Sequence, residues 1–223
     1  MKIKDKVLNK NELPDIREST KKANRLAILQ TAEEVFFDKG YIATNTDEIA
    51  ERASVSKKTM YKHFPSKLAL YVNMFDDYLQ RLSDEVTETA QRNVPPDKLI
   101  FEIFDVMIDF TMKNEKFMQL YWMLDSDEFD GSIPEELINR VNKITWAMCD
   151  VVTDVIRNAQ IEGTIADCDP ELLAHILSAI NKGIFIHTSN KRRFEIKNLK
   201  PDVLYEVLKG FLIKGLKKDF PSQ

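Results

Sequence analysis

Between Thr44 and Lys67 the chain reads TNTDEIAERASVSKKTMYKHFPSK, with hydroxyl and amide side chains leading into four lysines. Groups of this kind bind rather than react. Ser56, Lys57, Lys58 and Thr59 at the start of a helix suit phosphate oxygens and base edges. Reactive patterns are missing: there is no glycine-rich phosphate loop, no G-x-S-x-G and no H-E-x-x-H. A Cys149–His175 nucleophile pair has no supporting pattern, so the chain does not read as an enzyme and needs no cofactor. Cys149, Cys168, His175 and His187 are the residues from which a metal or redox site would be built. Their spacings of 19, 7 and 12 lack the close cysteine pairing of a zinc site.

Two short helices must hold the lysines. Thr44 and Asp47 have the spacing of a capping box for a helix ending at Arg52. Ser56 caps a second helix, 57–63, and Pro65 stops it. Ile49, Val55, Met60 and Phe64 can close a small core, and Ala50 and Ala53 are small where the helices cross. This is a helix-turn-helix. Ahead of it, Leu26, Leu29, Ala32 and Phe36 form the stripe of a helix from about Thr20 to Lys39, with Gly40 as its cap. Residues 1–19 read as a flexible arm with a turn near Pro14.

Ser66 caps a helix over 67–91. Beyond Pro95 and Pro96, the breaks predict helices at 97–113, 115–125, 134–162, 170–188 and 201–217. Leu137, Val141, Ile144, Met148, Val151, Val155 and Ala159 make one apolar stripe. The chain is therefore all-α. A flexible arm (1–19) precedes a three-helix helix-turn-helix domain (20–66), and a helical domain (67–223) for ligand binding and dimerisation follows.

The composition, 43% hydrophobic and 30% charged with six glycines, suits a helical soluble protein. The formal net charge is −4, yet residues 1–67 hold 14 Lys/Arg against 10 Asp/Glu, and the remainder holds 18 against 26. A basic end on an acidic body fits an electrostatic footprint for nucleic acid, and equally an ordinary solvated surface. No apolar run reaches the roughly 18 residues that span a bilayer. Met1–Asn11 lacks the apolar block of a signal peptide. The reading is a cytoplasmic protein with no membrane partner and free thiols.

The stretch 21–70 resembles the TetR family of bacterial regulators. The likeness is carried by Ala32, Phe36, Gly40-Tyr41, Thr44, Ile49-Ala50, Ala53, Val55-Ser56, Thr59, Tyr61, His63-Phe64, Ser66-Lys67 and Leu70. It implies a ligand-responsive regulator, a repressor released from a palindromic operator by a small, largely apolar molecule. A metal- or redox-sensing regulator using Cys149, Cys168, His175 and His187 is the alternative. Two positions depart from the family: Ser54 stands where glycine is usual in the turn, and Lys58 where a small residue is common. An L-residue in a left-handed turn costs about 1–2 kcal/mol.

By the resemblance, Thr44, with its hydroxyl and the free amides of a helix start, faces the DNA backbone. Lys57, Lys58, Thr59 and Lys62 lie on the recognition helix. Tyr61, His63 and Lys67 contact phosphate, although Tyr61 also suits a core and His63 a solvated helix end. A homodimer is implied, its interface a four-helix bundle from Leu173, Ile176, Leu177, Ile180 and Ile184 with Leu204, Leu208, Phe211 and Leu212. Phe104, Met107, Phe110, Tyr121, Trp122, Trp146 and His175 are the expected walls of an effector cavity. Each suits an ordinary core as well. The helix at 67–91 joins the two domains, and its tilt would change the spacing of the recognition helices.

Overall fold

A computed structural model describes residues 13–125, 133–189 and 201–217. Among these residues there are nine α-helices and no strand. They are α1 (Leu13–Ala43), α2 (Thr46–Arg52), α3 (Lys57–His63), α4 (Lys67–Ala90), α5 (Pro96–Lys113), α6 (Glu115–Trp122), α7 (Glu135–Ile161), α8 (Pro170–Ser189) and α9 (Pro201–Gly215). A 3₁₀ turn, Met123–Asp125, follows α6. The chain divides into two compact units, with Phe75 ending the first and Asp76 opening the second.

The first helix begins earlier than its sequence suggests. Leu13–Ser19 belongs to α1, where an arm with a turn at Pro14 is expected. A proline in the first helical turn loses nothing, because the N–H it lacks has no partner there anyway. Lys2, Lys4, Lys6 and Lys10 of the expected arm lie outside the described residues.

In the first unit Ile28, Ala32, Val35 and Phe36 of α1 are fully buried. The stripe is thus rotated from the expected one, and Leu26 is 52% exposed. Ile49 and Ala50 of α2, Met60 of α3 and Phe64 complete the core against Leu70, Tyr71 and Phe75 of α4. Phe36, Tyr71 and Phe75 meet edge to face at centroid distances of 5.0 Å. Burying each large side chain is worth about 1.5–3 kcal/mol.

Two breaks shape this unit. Gly40 interrupts α1 with φ 75 and ψ 176, a backbone region essentially confined to glycine. Ser54 ends α2 with φ 54, the positive φ that the sequence expects glycine to supply. Its N–H and that of Val55 return to the carbonyls of Glu51 and Ala50, both at 3.0 Å, which satisfies the last open carbonyls of α2.

In the second unit α7 packs on α5 and α8. Val141, Met148, Val152, Val155, Ile156 and Ala159 of α7 are buried, with Ile103 and Phe104 of α5 and Leu173 and Leu177 of α8. A buried polar cluster crosses three helices. Asn181 Nδ2 donates to Thr111 Oγ1 at 3.1 Å, and Tyr205 Oη donates to Asn181 Oδ1 at 3.0 Å. Burial pushes the Tyr205 phenol up to about 12. Lys209 of α9 pairs with Asp105 of α5.

Candidate nucleic-acid interface and cavity

The helix α3 has two faces. Met60 and the following Phe64, four residues apart, point inward at 1% exposure each. Lys57, Lys58, Tyr61 and Lys62 point outward, as the 3.6-residue period requires. The start of α3 is fixed by Ser56, whose Oγ accepts the Thr59 N–H at 3.0 Å. Thr59 Oγ1 lies 2.8 Å from the same oxygen. A capped, cation-bearing helix of this form can present polar side chains to a groove while its ends meet phosphate.

The remaining expected contacts are held by neighbours. Lys57 Nζ lies 2.6 Å from Asp47 Oδ1, and its pKa is raised chiefly by that hydrogen bond. Tyr61 Oη and Thr46 Oγ1 are 3.0 Å apart. Lys67 donates to the Ile42 carbonyl at 3.1 Å and stands 4.5 Å from the Tyr41 ring centroid. Its pKa is lowered by burial. His63 is half-buried, and burial, then Lys21 and Arg25, lower its pKa. Lys58 and Lys62 make no ion pair among the described residues.

Thr44 differs from expectation. It is 4% exposed, and its hydroxyl donates to the Gly40 carbonyl at 2.6 Å. That bond removes the hydroxyl from any phosphate and braces the Gly40 break. The cap of α2 is Asn45, whose Oδ1 accepts the Asp47 N–H at 2.9 Å. The spacing of Thr44 and Asp47 suggested a capping box, but Asp47 is engaged by Lys57. Asn45 and Thr46 are the polar residues that the sequence reading missed at this edge; their position beside Thr44 was the available signal.

The second unit contains a cavity of about 330 Å³. Five of the seven expected wall residues line it: Met107, Tyr121, Trp122, Trp146 and His175. Phe104 instead borders a separate void of about 20 Å³, close to the room one water needs. Phe110 lines neither and packs against Phe117 at 6.2 Å. The cavity also has polar residues that the sequence reading overlooked, among them Thr111, Ser178, Asn181 and Lys182. Cys149 lines it too, and burial, then Asp150, push that thiol upward, the opposite of an activated nucleophile.

The expected dimer stripe divides between two faces. Leu173 and Leu177 are buried inside the chain at 8% and 3% exposure, whereas Ile176 and Phe211 are exposed at 42% and 69%. Ile180, Ile184, Leu204, Leu208 and Leu212 are half-buried. The outward apolar residues are Leu172, Ile176 and Ile186 of α8 with Val203, Val207, Phe211 and Ile213 of α9. Both sides of α8 are apolar, so periodicity marks stripes without telling which one packs inside.

No three histidine, cysteine or acidic side chains gather for a metal among the described residues. Cys168 receives the Gln160 amide instead, at 2.6 Å on its carbonyl and 3.4 Å on its sulfur. The metal-sensing alternative therefore has no support. None of the described helices is long and apolar enough to cross a membrane.

Residues 28–74, the helix-turn-helix and its flanks, match the family model for bacterial regulatory proteins of the tetR family. That segment is similar to the DNA-binding segment of TetR-family proteins. TetR-family proteins are DNA-binding transcription regulators, typically dimeric and responsive to ligands. The transcriptional activator FasR of Mycolicibacterium smegmatis is 28% identical over 174 residues, covering 78% of this chain and 73% of FasR. IcaR of Staphylococcus aureus, a negative regulator of the biofilm operon icaADBC, is 25% identical over 192 residues, covering 84% of this chain and 98% of IcaR. The fold is shared with the solved fatty acid degradation regulator FadR of Bacillus halodurans. That match has a TM-score of 0.66 at 16% identity and covers 86% of this chain and 98% of FadR.

Proposed function

We propose that this chain is a TetR-family regulator, a cytoplasmic homodimeric repressor that leaves a palindromic operator when a small, largely apolar molecule enters the cavity of its second unit. The observation that carries the reading is the two-faced α3, with Met60 and Phe64 anchored inward and Lys57, Lys58, Tyr61 and Lys62 outward. One such helix reads a few base pairs. Two related by a dimer axis read half-sites about 34–36 Å apart, one turn of DNA. The outward apolar residues of α8 and α9 are the surface that a second copy would cover. Linkage supplies the release: an effector that favours a form unable to bind DNA weakens operator binding by the same factor, typically about 1–3 kcal/mol. The helix α4 contributes residues 67–75 to one unit and 76–90 to the other, which makes it the route for that coupling.

The test is selection from random duplexes at two salt concentrations. A palindrome should be enriched, with binding that falls steeply as salt rises. In that setting Lys62→Ala weakens all sequences alike and lowers the salt slope by about one, whereas Lys58→Ala relaxes preference at one position of each half-site. If no sequence is enriched, the regulator reading fails.

A further inference from the structure

On the reading that α3 enters the major groove of DNA, we propose that Asp47 of α2 determines sequence specificity: it aims Lys57 at a guanine in each half-site and keeps that lysine off phosphate. Two side-chain contacts tie the first turn of α2 to the outward face of α3. Thr46 Oγ1 and Tyr61 Oη are 3.0 Å apart, and Asp47 Oδ1 and Lys57 Nζ are 2.6 Å apart. Thr46 and Asp47 are consecutive, while Lys57 and Tyr61 stand at i and i+4 and share one row along α3. Both ends of the ion pair are anchored by caps. Asn45 Oδ1 accepts the Asp47 N–H at 2.9 Å, and Ser56, directly before Lys57, accepts the Thr59 N–H at 3.0 Å. The neighbouring row, Lys58 and Lys62, makes no ion pair among the described residues.

The Lys57 and Asp47 side chains are 57% and 55% exposed, and an ion pair so open to water adds little to folding. A carboxylate on a surface that meets phosphate also opposes binding to every duplex alike. What the pair supplies is direction. An ammonium on a free four-carbon stem is a mobile point charge that takes any phosphate within reach. Held by Asp47, it gives one N–H to the carboxylate and has two left, confined to the side away from it. Guanine presents two acceptors, O6 and N7, on its major-groove edge, whereas adenine sets a donor beside its N7. A tethered ammonium with two N–H groups separates the two purines.

The full chain, Asp47→Asn, Lys57→Ala and the double variant are each taken through selection from random duplexes. Anisotropy titrations then follow the enriched operator and an unrelated duplex across salt concentrations. Asp47→Asn keeps the side chain's shape and removes its charge. It should lose the guanine preference at one position of each half-site by about fivefold or more. It should also bind the unrelated duplex several-fold more tightly, with a salt slope steeper by about one for each protomer, because the released Lys57 takes a phosphate. Lys57→Ala should lose the same preference without that gain, and adding Asp47→Asn to it should alter base preference no further. If Asp47→Asn tightens every duplex and leaves the guanine preference intact, Asp47 is only a repelling charge and the proposal fails. If Asp47→Asn changes base preference equally in the Lys57→Ala background, Asp47 meets a base itself and the assignment to Lys57 is overturned. If the unaltered chain enriches no sequence, the DNA-binding reading fails and this proposal with it.

Discussion

The turn between α2 and α3 and the turn that closes α7 are built on the same hydrogen bonds and on different residues. Ser54 and Val55 donate to Glu51 and Ala50, each at 3.0 Å. Gly163 and Thr164 donate to Gln160 and Ala159 at 2.9 and 3.0 Å. Both central residues have positive φ, 54 for the serine and 69 for the glycine. The pattern is imposed by the open carbonyls of the preceding helix, and the residue decides what the conformation costs. Glycine adopts it freely, while serine pays about 1–2 kcal/mol. The strained copy lies in the helix-turn-helix, directly before the helix that carries the lysines.

Exchanging the residues tests the comparison. Gly163→Ser should destabilise the second unit by about 1 kcal/mol, because left-handed strain exceeds the entropy that the unfolded chain loses with its glycine. Both tryptophans belong to this unit, so thermal melting followed by their fluorescence should shift down by about 2–4 °C. The reverse change, Ser54→Gly, should stabilise the first unit by less, about 0.5 kcal/mol. The φ of Ser54, 54, is nearer the left-handed value of about +57° than the 69 of Gly163, so less strain should be relieved there than is added at Gly163. Far-UV circular dichroism measures the gain. A loss on Ser54→Gly would mean that the serine side chain compensates for its backbone, and the two turns would no longer be equivalent.

The contrast between the units also explains what could be read in advance. In the first unit nearly every feature is local: a cap, a turn residue, an inward pair at i and i+4. Ser54 was legible as a strained turn, and Met60 and Phe64 as anchors, because each statement needs only a few consecutive residues. Thr44 failed for the same reason in reverse. Its spacing to Asp47 was correct for a cap, but the hydroxyl found Gly40 and the carboxylate found Lys57 ten residues on. In the second unit the features are non-local. Periodicity marked α7 and α8 well, yet Leu173 and Leu177 face inward while Ile176 faces outward. Thr111, Asn181 and Tyr205 come from three helices and share no pattern. Nothing along the sequence says that they meet.

A last distinction between the units is how each answers to pH. Tyr205 in the second unit is raised to about 12, so its contribution persists at neutral pH and is lost only in alkali, above the unfolded value near 10. His63 in the first unit is lowered, by burial first and then by Lys21 and Arg25. Below its unfolded value of about 6.5 the unfolded chain takes up a proton that the folded chain resists, so stability falls as pH falls through that range and is unaffected above it. On DNA the sign reverses. A phosphate beside His63 would offset Lys21 and Arg25 and raise its pKa, so binding would draw in a proton and operator affinity should increase modestly from pH 7.5 to pH 6. In His63→Gln both effects should vanish together, the acid loss of stability in the free chain and the acid gain of affinity on DNA. Denaturant melts and anisotropy titrations at matched pH measure the two. If the variant keeps the affinity gain, the proton is taken up elsewhere and His63 does not face phosphate.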